Sequence, residues 1–260
     1  ASTGKYFDQS EIEDIFSPKN HQIIRLAALL HDLGHPPFSH AVEMTFLRYP
    51  SLVQRAKSAY TIDDGEYLLF DGYSHEAFTK WIIARSAPLK SCLSASDLMT
   101  EEMIHDIAAL AVGDARGHLS AFNTIISGDF DADRIDYLIR DNRHSGFDIG
   151  LSPDELYNAV HLVVRKDLSG ESHFEVHIDR NALPFVNSVL SSRERLINRV
   201  HLAPAGRAGT QMLTKFLYED LEKIVSPREL AKTIIRLHQY CTDYTFYDVI
   251  VAKLPQRKLC

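Results

Sequence analysis

The stretch His31-Asp32-Leu33-Gly34-His35-Pro36-Pro37-Phe38-Ser39-His40 decides how the chain is read. Before it, Ser17-Pro18 is an N-cap and first-turn pair, and Ile23, Ile24, Ala27 and Leu30 recur at helical spacing. Gly34 and the two prolines stop that run, so the pattern predicts a helix over 18–33 with His31 and Asp32 in its last turn. Imidazole and carboxylate both bind divalent transition ions. Adjacent residues on a regular helix point about 100° apart, but at a terminal turn beside a glycine they converge more easily. A bare His-Asp pair is also what a helix end produces by itself, since the macrodipole favours a histidine there. His105-Asp106 is such a pair, with neither a glycine stop nor further histidines, and reads as structural.

The remaining pattern is mainly helical. Helices are predicted over 74–86, 101–112, 131–143, 153–161, 181–200, 207–224 and 227–239, and hairpins over 59–70 (an Asp-Asp-Gly turn) and 161–179 (a Ser-Gly turn). The 260 residues include 13 histidines and three scattered cysteines, Cys92, Cys241 and Cys260, in no metal-ligand spacing. That argues against a disulfide framework and for a reducing compartment, so the cytoplasm is expected. No run is long and apolar enough to span a membrane, and the net charge of −7 argues against a nucleic-acid surface while leaving room for one basic pocket. In 131–146, Asp133, Tyr137 and Asp141 fall at i, i+4 and i+8, opposite a stripe of Ile135, Leu138 and Ile139. They are either a ligand face or a solvated face whose acids complement the helix dipole. An EF-hand is excluded, because Arg134 stands where its loop needs glycine.

Three segments in order, 29–43 (LLHDLGHPPFSHAVE), 73–78 (YSHEAF) and 131–146 (DADRIDYLIRDNRHSG), resemble the HD-superfamily phosphohydrolases, and most closely their deoxynucleoside triphosphate triphosphohydrolase branch. The resemblance implies an HD-domain helical bundle with one or two small β-hairpins, and hydrolysis of a dNTP to deoxynucleoside and inorganic triphosphate. It implies a divalent ion (Mn, Mg, Fe, Ni or Zn), a homo-oligomer, and no membrane partner. Carried onto this sequence, His31, Asp32 and Asp133 become metal ligands. His75 becomes a general acid with Glu43 as its acidic partner, and His40 stands with them in the catalytic set. His35 and His40 line the phosphates, and Tyr137 and Asp141 hold the deoxyribose. Arg134, Arg195, Arg199 and Arg207 are candidates for the triphosphate charge, since guanidinium pairs bidentately with phosphate oxygens; surface solvation explains any one of them equally. His201 stands near the sugar-edge position of some relatives.

In that family a further histidine on an earlier helix completes the ligand set. Only 30 residues precede His31, and His21 lies on the same helix and reads as a surface residue. The chain, 1–260, is therefore expected to be a single HD domain in fragment form, without the segment carrying that histidine and without a C-terminal region. Another HD nucleotidase, a cyclic-nucleotide phosphodiesterase, or a nucleotide-sensing module without turnover are the alternatives.

Overall fold

The computed structural model describes residues 17–95, 99–128, 131–146, 154, 158–166 and 172–246. The chain divides into two compact units, one of residues 1–30 and 94–203, the other of 31–93 and 204–260. In order, the helices longer than one turn and the strands are α1 (Pro18–Leu30), α2 (His40–Arg48), α3 (Pro50–Lys57), α4 (His75–Arg85), α5 (Ala87–Leu93), α6 (Glu101–Ala111), α7 (Ala132–Ser145), β1 (Val160–Lys166), β2 (Ser172–Ile178), α8 (Leu183–Leu196), α9 (Pro204–Glu222) and α10 (Pro227–Gln239). Among the described residues the fold is mainly α with one small antiparallel sheet, as expected.

The unit of 31–93 and 204–246 is built from α2 to α5, α9 and α10. Its core joins Val42 and Phe46 of α2, Leu52, Val53 and Ala56 of α3, Phe78 of α4, Leu217 and Leu221 of α9, and Leu230, Ala231, Ile234 and Leu237 of α10. The α10 residues repeat at three and four, which makes one continuous apolar stripe. Ser226 caps that helix by accepting from the Glu229 amide, and Pro227 takes the first-turn position, where its missing N–H costs nothing. Complete burial of Phe46 and Phe78 stabilises the unit by about 1.5–3 kcal/mol each.

In the same core lies a histidine, His238, only 3% exposed and stacked on Phe78 with ring centroids 3.8 Å apart. Burial pushes its pKa down from 6.5 to about 4, even though the Gly34 carbonyl and nearby Glu43 favour the charged form.

The other unit packs α1 through Ile23 and Ala27 against α6, whose Met103, Ile104, Ile107 and Leu110 are buried. Thr100 caps α6, and the Asn123 side chain brackets Ala115 by accepting from its N–H and donating to its carbonyl. Asp131 caps α7 by accepting the Arg134 amide at 2.7 Å, and Gly146 at φ 74° closes it. Leu138 of α7 packs with Val189 and Leu196 of α8. β1 and β2 pair antiparallel from Val160↔Ile178 to Lys166↔Ser172.

The differences from the sequence pattern have local causes. α1 ends at Leu30, so His31 to Gly34 form a turn and not the last helical turn expected over 18–33. Residues 59–70 are not a hairpin. The Asp64 carboxylate accepts from the Thr61 amide and hydroxyl at 2.7 and 3.0 Å and winds the segment into turns ending in the short helix Tyr67–Phe70. The expected hairpin at 161–179 is present as strands, its Ser-Gly turn lying outside the described residues. Most of the helix expected over 153–161 also lies outside them, and Val160 already belongs to β1. The helix expected over 181–200 is α8 followed by a π-turn, Ile197–His201. Helices α2 and α3 escape the pattern because Pro50 divides them into two short pieces.

Because the neutral His238 ring is preferred only in the folded chain, the unfolded state takes up a proton first as pH falls. The contribution of His238 to stability is therefore full above about pH 6.5 and falls by about 3 kcal/mol as pH falls to about 4. Urea unfolding across that window should show this loss in the wild type and lack about one proton of slope in His238→Gln.

Candidate functional site

Glycine at 34 is what lets the His31-Asp32 turn approach α4. A Cβ there would collide with the His75 carbonyl oxygen and the Thr79 amide, and would sit 2.7 Å from Thr79 Oγ1. The space is used for hydrogen bonds instead. The Gly34 N–H donates to Thr79 Oγ1 at 2.9 Å, and the same hydroxyl donates to the His31 carbonyl at 3.0 Å. The turn is thus fixed by one buried threonine. Freed from the helix, His31 Nε2 and Asp32 Oδ1 lie 3.3 Å apart, and His35 Nε2 stands 3.6 Å from the same carboxylate oxygen.

The chain between His35 and α2 is strained. Phe38 and Ser39 have φ of 56° and 48°, the left-handed region that non-glycine residues avoid at a cost of about 1–3 kcal/mol each. Two contacts offset this: the Phe38 N–H donates to Asp243 Oδ1 at 2.7 Å, and its ring meets Phe246 edge-on at 5.3 Å. α2 then starts at His40, which puts Glu43 one turn further along its face.

Glu43, 6% exposed, is the centre of the cluster. Its Oε2 accepts from His40 Nδ1 at 2.8 Å; its Oε1 accepts from His75 Nδ1 at 2.8 Å and from the His75 backbone N–H at 3.2 Å. Burial alone would raise the carboxyl pKa, but the hydrogen bonds from His40 and His75 outweigh it and hold the group well below the usual carboxylate range. Reciprocally, the bond to Glu43 raises His40. An ionised carboxylate only accepts, so both imidazoles carry hydrogen at Nδ1 and turn Nε2 away from it. His75 Nε2 lies 3.4 Å from Glu76 Oε1, so an imidazolium at 75 has a carboxylate at each nitrogen. His35 stacks on His75 at 3.8 Å and meets His40 edge-on at 4.7 Å. Burial, then the His75 and His40 charges, lower its pKa to about 4, so it is neutral. Its Nδ1 is buried and has no hydrogen-bond partner among the described residues.

The expected residues therefore divide between the units. His31, Asp32, His35, His40, Glu43 and His75 come together in one, where Arg207 is exposed on α9. Asp133, Arg134, Tyr137 and Asp141 are in the other, on α7. His201, in the π-turn, reaches them: its Nε2 is 3.5 Å from Asp141 Oδ2, and its ring centroid is 6.4 Å from that of Tyr137. The Arg134 guanidinium donates to the Gly128 carbonyl and lies 3.6 Å from Asp131 Oδ2, so it braces the α7 N-terminus. Arg195 folds back on Ser191 and Ser192, Arg199 is exposed, and His21 and His105 are surface residues. Thr79, Tyr73, His238 and Asp243 join the cluster without belonging to the residues expected from the sequence. Only Thr79 carries a local signal, at i+4 from His75.

A divalent ion fits what is present. Nitrogen and oxygen ligands at about 2.0–2.2 Å from one ion stand roughly 3.0–3.5 Å from each other, the spacing of His31 and Asp32. The His35, His40, Glu43 and His75 ligand atoms also lie within 4.8 Å of one another, a second set that could hold an ion.

Residues 6–87 match the model of the HD domain family, a span that contains His31, Asp32, His35, His40, Glu43 and His75. The match likens this part of the chain, 82 of its 260 residues, to HD domains. Uncharacterized protein MJ1154 of Methanocaldococcus jannaschii is 27% identical over 233 residues, covering 88% of this chain and 41% of that protein. The MG461 homolog of Mycoplasma pneumoniae is 26% identical over 214 residues (80% and 43%), and YwfO of Bacillus subtilis 25% over 213 residues (80% and 40%). The chain spans about two fifths of the length of these curated relatives. No helix among the described residues is long and apolar enough to cross a membrane.

Gly34→Ala forces the 31–34 turn off α4. We expect a stability loss of about 1–3 kcal/mol or more in urea unfolding, with weaker Mn²⁺ binding. Wild-type stability in that variant would mean the contact at Gly34 is not tight.

Proposed function

We propose that the chain is a dNTP triphosphohydrolase, cleaving its substrate to deoxynucleoside and inorganic triphosphate. The observation that carries this reading is the His75–Glu43–His40 bridge placed in the same unit as the His31-Asp32 pair. A proton donor and a metal-binding pair together are what phosphate-ester hydrolysis with an alkoxide leaving group needs. In this reading His31, Asp32 and Asp133 hold the ion. When bound, the ion offsets charge on the reacting phosphate and lowers the pKa of water.

Water attacks the α-phosphorus, and His75, as the doubly protonated imidazolium, gives its Nε2 proton to the 5′-oxygen as the α-phosphorus–oxygen bond breaks, while Glu43 accepts from Nδ1–H and so holds the ring's orientation. His35 and His40 line the triphosphate. Tyr137 stacks on the sugar and Asp141, with His201 beside it, accepts from the 3′-hydroxyl. Arg199 and Arg207 supply charge to the phosphates, while Arg134 serves through α7.

The test is to incubate the protein with Mn²⁺ and dATP and separate the products. Triphosphate with deoxyadenosine supports the proposal, and dADP with orthophosphate refutes it. His75→Ala should slow turnover about 10²–10⁴-fold with less effect on substrate binding. Asp133→Ala should lose metal and activity with helical content intact, while His105→Ala keeps both. Asp141→Ala should chiefly weaken the preference for deoxyribose over ribose.

One observation favours a second reading, a two-ion HD phosphodiesterase or nucleotidase. The His35–His40–Glu43–His75 set has converging ligand atoms, and His35 Nδ1 has no hydrogen-bond partner among the described residues. Metal stoichiometry separates the two: one ion per chain for the first, two for the second.

A further inference from the structure

We propose that His238, outside every sequence motif, is the positioning residue that locks the His31-Asp32 turn to the approach of α4 and so sets His31, Asp32 and His35 against His75. The inference rests on the reading above, in which the first pair holds the ion and His75 supplies the proton. His238 itself touches neither.

The geometry fixes the ring's chemistry. His238 Nδ1 is 2.6 Å from the Gly34 carbonyl oxygen, and Nε2 is 2.9 Å from the Tyr73 hydroxyl. A carbonyl oxygen only accepts, so Nδ1 carries the hydrogen. The ring is stacked flat on Phe78, at an interplanar angle of 11°, and buried among apolar side chains, an environment that favours the neutral form. A neutral ring with hydrogen on Nδ1 has a lone pair on Nε2, and that lone pair accepts from Tyr73. Both polar atoms are thus satisfied in one tautomer and in no other.

The two partners are well placed. Gly34 lies between Asp32 and His35, and its N–H is already held by Thr79. The glycine peptide is therefore gripped from α4 on one side and from α10 on the other. Tyr73 lies two residues before His75, next to Ser74, whose hydroxyl caps α4. One ring joins two segments that are 204 and 165 residues away from it in sequence. Phenylalanine at 238 could keep the stack on Phe78 but would leave a buried carbonyl and a buried hydroxyl unpaired. The charged or titratable groups that act on the ring are Glu43, His35 and His75.

The experiment has a metal-free arm and a metal arm, both on the whole chain. Nitrogen-15 imidazole NMR should show His238 as a neutral ring protonated at Nδ1 between about pH 5 and 8; protonation at Nε2 instead would overturn the proposal. Mn²⁺ binding is then followed by EPR in the wild type, His238→Asn, His238→Gln and Tyr73→Phe, with near-UV circular dichroism reporting the fold. Asparagine places an amide N–H where Nδ1 stood and keeps the Gly34 bond, whereas glutamine reaches the Nε2 position and loses it. We expect His238→Gln to weaken Mn²⁺ about 10-fold and His238→Asn to recover most of that loss. Tyr73→Phe should keep Mn²⁺ affinity while lowering kcat on dATP about 10-fold at little change in KM. Wild-type Mn²⁺ affinity in folded His238→Gln would refute the clamp. If the glutamine variant does not fold, His238→Asn decides: Mn²⁺ binding close to wild type supports the Gly34 bond, and a loss of 10-fold or more refutes it. A wild-type chain that binds no Mn²⁺ refutes the metal reading instead, and the tautomer then decides the clamp alone.

Discussion

One buried carboxylate organises the histidine cluster. Glu43 is almost out of water, and a charge in that position is tolerated only when it is paired and fully hydrogen-bonded. Two imidazoles and a backbone N–H supply the bonds. The requirement runs outward from there. His40 must begin α2 so that it lies one turn from Glu43, which forces the left-handed backbone at Phe38 and Ser39. His75 must begin α4 so that both its backbone and its ring reach the same oxygen, which makes Ser74 the cap. Removing either imidazole would leave part of a buried charge unanswered, so the residues that serve chemistry in the proposed reading also hold the unit together.

The second constraint is close approach. The turn at 31–34 lies against α4 so tightly that only glycine fits, and the resulting contact is polar. Thr79 takes its near side and His238 its far side. The proposed metal-binding pair and the proposed proton donor thus belong to segments tied by hydrogen bonds to one threonine and one histidine. Side chains held in this way keep a fixed geometry, because their supports are themselves packed and hydrogen-bonded.

Much of this was legible in the sequence, and what was not has physical reasons. The glycine stop after His31-Asp32 and the helix start near Ser74-His75 are local patterns, and the structure has a break and a helix start there. α10, whose apolar repeat is unbroken, also lies where expected. The end of α1 at Leu30 is not legible in the sequence, because a histidine and an aspartate suit a last helical turn as well as the turn that follows it. The hairpin expected at 59–70 failed because an aspartate that closes a turn on Thr61 looks, in sequence, like one that closes a hairpin. The contact of the Arg134 guanidinium with the Gly128 carbonyl has no local sequence signal. His238 could not be found at all: its role depends on contacts 204 and 165 residues away, and a lone histidine on an apolar helical face carries no signal of either.

The central claim is that Glu43 is an ionised bridge between His40 and His75, and the most direct test is a carboxyl-carbon NMR titration of Glu43 in the metal-free protein. The bridge predicts that the resonance stays in its ionised position as pH falls well below the ordinary glutamate range of about 4.3, moving only when the fold is lost. A titration centred near 4.3 in the folded protein would contradict it, since a carboxylate bonded to two imidazoles cannot be as easily protonated as one in water.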